Sequence, residues 1–198
     1  MTKQLNTLAV FCGSYSGKDP IYVQSAVILG ELLATAKTTL VYGGGNVGIM
    51  GAVANSVLDH GGKVIGVIPN FLVRKEIAHP NLTELKVVRS MHERKAMIAE
   101  IADGFMALPG GFGTLEEVFE MITWDTLGIV HAPIGILNTN GFYDDMIKQI
   151  DRCVKEGFID QKMRDLVLID SDPAKLFQKM QDFVMPKTVK WATEVQQS

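Results

Sequence analysis

The sequence predicts an α/β fold: a doubly wound, Rossmann-like parallel sheet with helices on both faces, built as a single domain. Three observations point there. Short apolar runs of strand length alternate with longer stretches of helical length. The runs are continuously rich in Val, Ile and Leu, as strands covered on both faces are. Two of them end in glycine-rich turns that open helices, and ligands of such sheets bind beyond the carboxyl ends of the strands.

The first strand is expected over 8–12, the run Leu8-Ala9-Val10-Phe11-Cys12, followed by Gly13-Ser14 and then Ser16-Gly17. A helix over 21–37 leads to a second strand at 39–42. That strand ends in Gly43-Gly44-Gly45, and Gly48 and Gly51 follow in a helix over 48–60. Val64-Ile65-Gly66-Val67-Ile68 and Leu85-Lys86-Val87-Val88 are the third and fourth strands, at 64–68 and 85–88. A helix over 90–102 starts at Ser90, which forms a capping box with Glu93. The fifth strand, 104–108, runs into a glycine turn and a helix over 114–127. A sixth strand at 134–137 and helices over 142–156 and 173–183 complete the pattern. One domain spans 1–186, and the tail, 187–198, is polar.

A length of 198 residues suits one domain with a sizeable core, and 47% hydrophobic with 21% charged residues is an ordinary globular balance. A net charge of −3 makes nucleic acid or an anionic membrane an unexpected partner. Cys12 and Cys153 are far apart and suggest neither a disulfide framework nor a zinc knuckle. His60, His79, His92 and His131 show no metal spacing, so no metal is expected. The start of the chain has no signal-peptide pattern and no apolar segment is long enough to span a membrane, so a cytoplasmic protein is expected.

The most informative stretch is Leu108-Pro109-Gly110-Gly111-Phe112-Gly113-Thr114-Leu115-Glu116-Glu117. A buried strand, three glycines in four positions and a helix start together make an anion site. Bare N–H groups converge there, the helix dipole is positive and no side chain blocks the approach. An acid beside such a site needs a reason, and two readings stand. Thr114-x-x-Glu117 is a capping box, with Thr114 covering an amide of the first turn and Glu117 reaching back. Alternatively, a glutamate faces a bound phosphosugar and acts on it. A second cluster, Met91-His92-Glu93-Arg94-Lys95, places two cations early in a helix, where the dipole opposes them. Either they are solvated, or a bound anion or Glu117 neutralises them. Arg94 suits a fork and Lys95 a point charge. Glu76 alone looks like a surface acid. The turn Gly43-x-Gly45-x-x-Gly48 fits part of the dinucleotide fingerprint, but no acid ends the next strand, and neither turn has a Walker lysine.

These residues resemble the Lonely Guy proteins, cytokinin riboside 5′-monophosphate phosphoribohydrolases often mislabelled as lysine decarboxylases. Residues 109–117 look like that family's PGGxGTxxE signature, and Met91-His92-Glu93-Arg94-Lys95 resembles its MHxRK segment. Cys12-Gly13-Ser14, the run from Tyr42 through Gly51, and Ile122-Thr123-Trp124 fit as well. The resemblance covers roughly residues 8–160. It implies that Arg94 and Glu117 are catalytic. It implies substrate contacts from Glu76, Lys95, Gly110, Gly111, Phe112, Gly113, Thr114, Leu115, Glu116 and Thr123, with Ser14, Gly44 and Gly45 at the other strand ends. His131-Ala132-Pro133 departs from the family pattern, which has a lysine before the proline.

The implied substrate is a nucleoside 5′-monophosphate. Cleaving its N-glycosidic bond builds positive charge on the ribose, which a fixed carboxylate stabilises. The phosphate on the glycine turn anchors the sugar. No metal or redox cofactor is required. Two rivals remain: a nucleotide-binding module without catalysis, and a pyridoxal-phosphate decarboxylase using Lys95. A homodimer is also expected. On the helix from Thr114, Leu115, Val118, Phe119 and Ile122 are expected to face the sheet. Glu117, Met121 and Trp124 form a second face, with Leu127 also turned away from the first, for the C-terminal helix or, as expected here, another copy to cover.

Overall fold

The computed structural model describes residues 5–73 and 78–184. A seven-stranded, all-parallel sheet forms the centre. Its strands are β1 (Thr7–Phe11), β2 (Thr39–Tyr42), β3 (Val64–Pro69), β4 (Glu84–Val88), β5 (Gly104–Ala107), β6 (Ile134–Leu137) and β7 (Val167–Asp170). The spatial order is β4-β3-β2-β1-β5-β6-β7. The chain winds outward from β1 to β4, then crosses back to β5 on the other side of β1. The switch point therefore lies between β1 and β5, where a parallel sheet of this kind opens a crevice.

The helices are α1 (Ile21–Thr35), α2 (Gly48–Asp59), α3 (Asn70–Val73), α4 (Met91–Ile101), α5 (Phe112–Thr126), α6 (Asp144–Lys155), α7 (Gln161–Asp165) and α8 (Pro173–Asp182). Alternate strand residues feed two cores. Leu8, Val10, Leu40, Tyr42 and Met106 pack with Leu29 and Leu33 of α1, Val53 of α2 and Leu176 of α8. Ala9, Phe11, Val41, Phe105 and Ile136 pack with Ile98 of α4 and Val118 and Met121 of α5. Helices on both faces explain why the strands read as unbroken apolar runs.

The six expected strands and six expected helices are present, with ends shifted by a residue or two. The short elements α3, α7 and β7 are additional, as is a 3₁₀ turn at Thr139–Gly141. In β7 a four-residue run ends in an aspartate and three of its residues are partly exposed, so periodicity gives it no signature. The expected tail, 187–198, and Glu76 lie outside the described residues.

Two corrections concern α5. It starts at Phe112, not Thr114, because Gly111 adopts the extended conformation of an N-cap (φ −97°, ψ −154°). Thr114 is thus inside the helix, Glu116 and Glu117 lie beyond its first turn, and the expected capping box does not form. The helix is also rotated relative to expectation. Its buried face is Thr114, Glu117, Val118, Met121 and Asp125, while Phe119 is 40% exposed and Leu115 and Ile122 are half-buried. One hydroxyl and two carboxylates face inward, and an apolar count alone does not find such a face. In α4 the capping box half forms: Ser90 Oγ accepts the Glu93 N–H at 3.1 Å, while the Glu93 carboxylate takes the N–H of Arg89.

Candidate active site

Three strand ends are tied together at the switch point. The Gly13 N–H, just after β1, donates to the Pro109 carbonyl at 3.1 Å. The Gly13 carbonyl accepts the N–H groups of Ile49 and Met50 at 3.0 and 3.3 Å. The first turn of α2 therefore spends two of its amides inside the protein. The approach is close: Gly48 has φ +58°, and a Cβ there would lie 2.4 Å from the Ser14 backbone.

The start of α5 is different. No side chain caps it. Gly110 is pressed against Thr114, where a Cβ would come within 2.1 Å of Oγ1, but Gly111 and Gly113 face open space. The first amides of a helix have no partner within it, so those at Phe112–Thr114 are available to an anion, and the helix dipole favours one.

A cleft of about 580 Å³ lies over this turn, well within the size of small-molecule sites. Gly110, Gly111, Phe112, Gly113, Thr114 and Glu117 line one wall and Arg94 with Gly43 another; Ser14 and Cys12 belong to the same lining. Arg94 Nη2 lies 3.5 Å from Glu117 Oε1, both side chains being about nine-tenths buried. The guanidinium rests on Gly43, where a Cβ would be 2.1 Å from Nη2. Gly43 is glycine because the arginine occupies its side-chain space. Among the described residues, Arg94 Nε is buried without a hydrogen-bond partner. Burial excludes the solvated basic pair: Arg94 is 6% and Lys95 7% exposed.

Several expected contacts fall elsewhere. Lys95 bonds Glu116 and, at 3.0 Å, Glu120 in the seam between α4 and α5, away from the cleft lining. Burial works against its charge, but the two carboxylates outweigh burial and raise its pKa. Leu115 does not line the cleft. Thr123 Oγ1 donates to the Phe119 carbonyl on an exposed turn of α5. Gly44 and Gly45 serve the scaffold: the Gly44 carbonyl accepts the His79 N–H, and Gly45 pairs with Ala78 in a bridge.

Sequence reasoning missed the apolar wall of Tyr22, Ile49, Met50, Leu72, Met91 and Phe142. Its residues come from five places in the chain, and no local pattern joins them. Burial and the charge of Glu117 raise the Cys12 thiol far above its usual range, against an opposing effect of Arg94, so Cys12 is a neutral wall residue and no nucleophile.

The family model described as "Possible lysine decarboxylase" matches residues 50–180. A probable cytokinin riboside 5′-monophosphate phosphoribohydrolase of Oryza sativa subsp. japonica is 48% identical over 177 residues, covering 89% of this chain and 78% of the rice protein. The chain belongs to the Lonely Guy family. A cytokinin riboside 5′-monophosphate phosphoribohydrolase of Arabidopsis thaliana is 46% identical, covering 89% of this Lonely Guy protein and 81% of its own length. Among solved structures, the molybdenum cofactor binding protein from Rippkaea orientalis superimposes with a TM-score of 0.66 at 20% identity, covering 88% of this chain and 94% of that one. The molybdenum cofactor carrier protein from Chlamydomonas reinhardtii gives 0.65 at 19% identity, with the same coverage. At such identity the likeness is one of fold.

Proposed function

We propose that the protein hydrolyses the N-glycosidic bond of N6-modified adenosine 5′-monophosphates, releasing the free adenine-type base and ribose 5-phosphate. The observation that carries this is Glu117, a buried carboxylate in the cleft, beside the uncapped start of α5 and 3.5 Å from Arg94. The named activity of the rice and Arabidopsis relatives supports it. The phosphate docks on the amides of residues 112–114 and fixes the ribose. As the bond from the anomeric carbon to the base nitrogen breaks, its electron pair leaves with the base and positive charge grows on the ribose. Glu117 stabilises that charge and orients the water whose oxygen bonds the anomeric carbon; the water's proton compensates the departing base. Arg94, 3.5 Å away, aims Glu117. Product analysis with AMP, N6-modified AMP and the matching nucleosides tests this. Base release from the monophosphates alone is expected, and none from any of them would refute it.

The pairing of Lys95 argues against the decarboxylase reading. A Schiff-base lysine must lose its proton and reach the cofactor, whereas Lys95 is held charged between two carboxylates.

The second part of the proposal is a cytoplasmic homodimer. Among the described residues no helix is long and apolar enough to cross a membrane. The outer face of α5 presents Phe112, 93% exposed, and Phe119, with half-buried Leu115 and Ile122 on the same side. A second copy covering this face by two-fold symmetry would sit beside the anion turn. Light scattering should give the dimer mass and Phe119→Glu the monomer mass. A fully active wild-type monomer would remove this part.

A further inference from the structure

Two buried tyrosines reach the two glycine turns from below. Tyr143 is 2% exposed, and its hydroxyl donates to the Leu108 carbonyl at 2.7 Å. Tyr42 is fully buried, and its hydroxyl donates to the Gly45 carbonyl at 3.1 Å. Leu108 is the last residue before the Pro109 turn, and its own N–H is held by the Phe11 carbonyl at 2.9 Å. Beyond it the Pro109 carbonyl takes the Gly13 N–H and Gly110 is pressed against Thr114, while Gly111 and Gly113 face open space and no side chain caps α5.

Tyr143 is itself fixed. Its N–H donates to Asn138 Oδ1 at 2.7 Å, and the Asn138 N–H donates to the Asp170 carbonyl of β7 at 2.8 Å. Its ring stacks edge-on against Phe142, which reaches the cleft wall. Tyr42 braces a different object. The turn it holds includes Gly43, the platform under the Arg94 guanidinium.

We infer that Tyr143 and Tyr42 are positioning residues with separate duties: Tyr143 sets the anion turn for the phosphate, and Tyr42 sets the platform that aims Arg94 at Glu117. Neither touches the substrate. A site built of backbone amides must be held in place before the ligand arrives, because ordering it on binding subtracts from affinity. Deleting one hydroxyl leaves a buried carbonyl without its donor and lets that turn drift. The inference rests on the proposed reaction for its kinetic half, while the binding half needs only the phosphate site.

The test compares Tyr143→Phe with Tyr42→Phe in the full chain. Calorimetry with ribose 5-phosphate and steady-state kinetics with N6-modified AMP supply the readouts. Tyr143→Phe should raise the ribose 5-phosphate Kd and the KM about tenfold, which is ~1.4 kcal/mol, with kcat within about twofold of wild type. Tyr42→Phe should lower kcat about tenfold and leave the ribose 5-phosphate Kd unchanged. General loosening would move both parameters alike in both variants, and that result overturns the inference, as does an unchanged Kd in Tyr143→Phe. Should Tyr143→Phe not fold, Asn138→Ala, which frees the Tyr143 amide but keeps the ring, must weaken ribose 5-phosphate binding; failure to do so also overturns it. Wild-type protein that binds ribose 5-phosphate yet releases no base would sink the proposed reaction and leave the binding arm of this test in force.

Discussion

The turn after β2 and the turn after β5 look alike in sequence: an apolar strand, a cluster of glycines, then a helix. In the fold they do opposite work. The α2 turn is consumed internally, its amides at Ile49 and Met50 bonded to the Gly13 carbonyl and Gly48 wedged against Ser14. The α5 turn has no side-chain cap and open space at Gly111 and Gly113. One is a joint and the other, in the proposed reaction, the receptor for the phosphate. A glycine cluster before a helix therefore means a ligand site only where the first-turn amides have no partner inside the protein.

The comparison is sharpened most by the acid beside the receptor turn. Glu117→Gln should lower turnover on the order of 10³-fold, the scale of losing an electrostatic stabiliser of the transition state. Nucleotide binding should persist. Chemical quench assays alongside calorimetry measure the two separately. Near-normal turnover in a folded variant would reduce the cleft to a binding module.

The joint reaches the chemistry through Arg94. Arg94→Ala should lower turnover about 10²-fold, since it leaves Glu117 without the cation 3.5 Å away. Gly43→Ala should approach that loss without touching a charge. The added Cβ falls 2.1 Å from Nη2, the mobile end of the side chain, so the guanidinium swings aside while the fold stands. A Gly43→Ala protein with wild-type kinetics would show that Arg94 does not need its platform.

A direct test of joint against receptor uses the same substitution in each. Gly48→Ala should destabilise by about 1–3 kcal/mol, because φ is +58° and the Cβ would meet backbone at 2.4 Å. Gly111→Ala meets nothing within 4 Å at a negative φ, so its melting temperature should hold. Its methyl group stands where the anion enters, and KM should rise about tenfold. Equal losses of stability in both would erase the distinction.

How far the sequence reached follows from the same contrast. Strand and helix order was legible because buried parallel strands are continuously apolar, and the glycine–acid run located Glu117 because its elements are adjacent in the chain. The partners of Glu117 were half legible: Arg94 and Lys95 were both marked, but the α4 register that sends one into the cleft and the other to Glu116 and Glu120 depends on how two helices meet. The start of α5 was misplaced because Thr114 and Glu117 imitate a capping box, while the conformation of Gly111 decides the helix start. Tyr42 and Tyr143 were invisible, since their roles lie in bonds to carbonyls elsewhere in the chain.

The far end of α5 provides the smallest effect and a control remote from both turns. Asp125 is 4% exposed, and among the described residues its Oδ1 has no hydrogen-bond partner, His131 Nδ1 being 4.0 Å away. Burial raises its pKa from 3.8 to about 6, against the opposing effects of His131 and the Ala132 amide. A carboxyl whose folded pKa lies above its unfolded one destabilises the fold when ionised. The penalty is complete above pH 6 and fades as pH falls from 6 toward 3.8. Asp125→Asn should therefore raise the melting temperature at pH 7.5 by a few degrees, on the scale of about 2–4 °C per kcal/mol for a domain of this size. The gain should shrink as pH falls from 6 and approach zero only below pH 3.8, and calorimetry across that range reads it. Turnover should be unchanged, because the α5 amides and Glu117 lie at the opposite half of the helix. A pH-independent gain would assign the effect to packing, and a change in turnover would mean that the two ends of α5 are not independent.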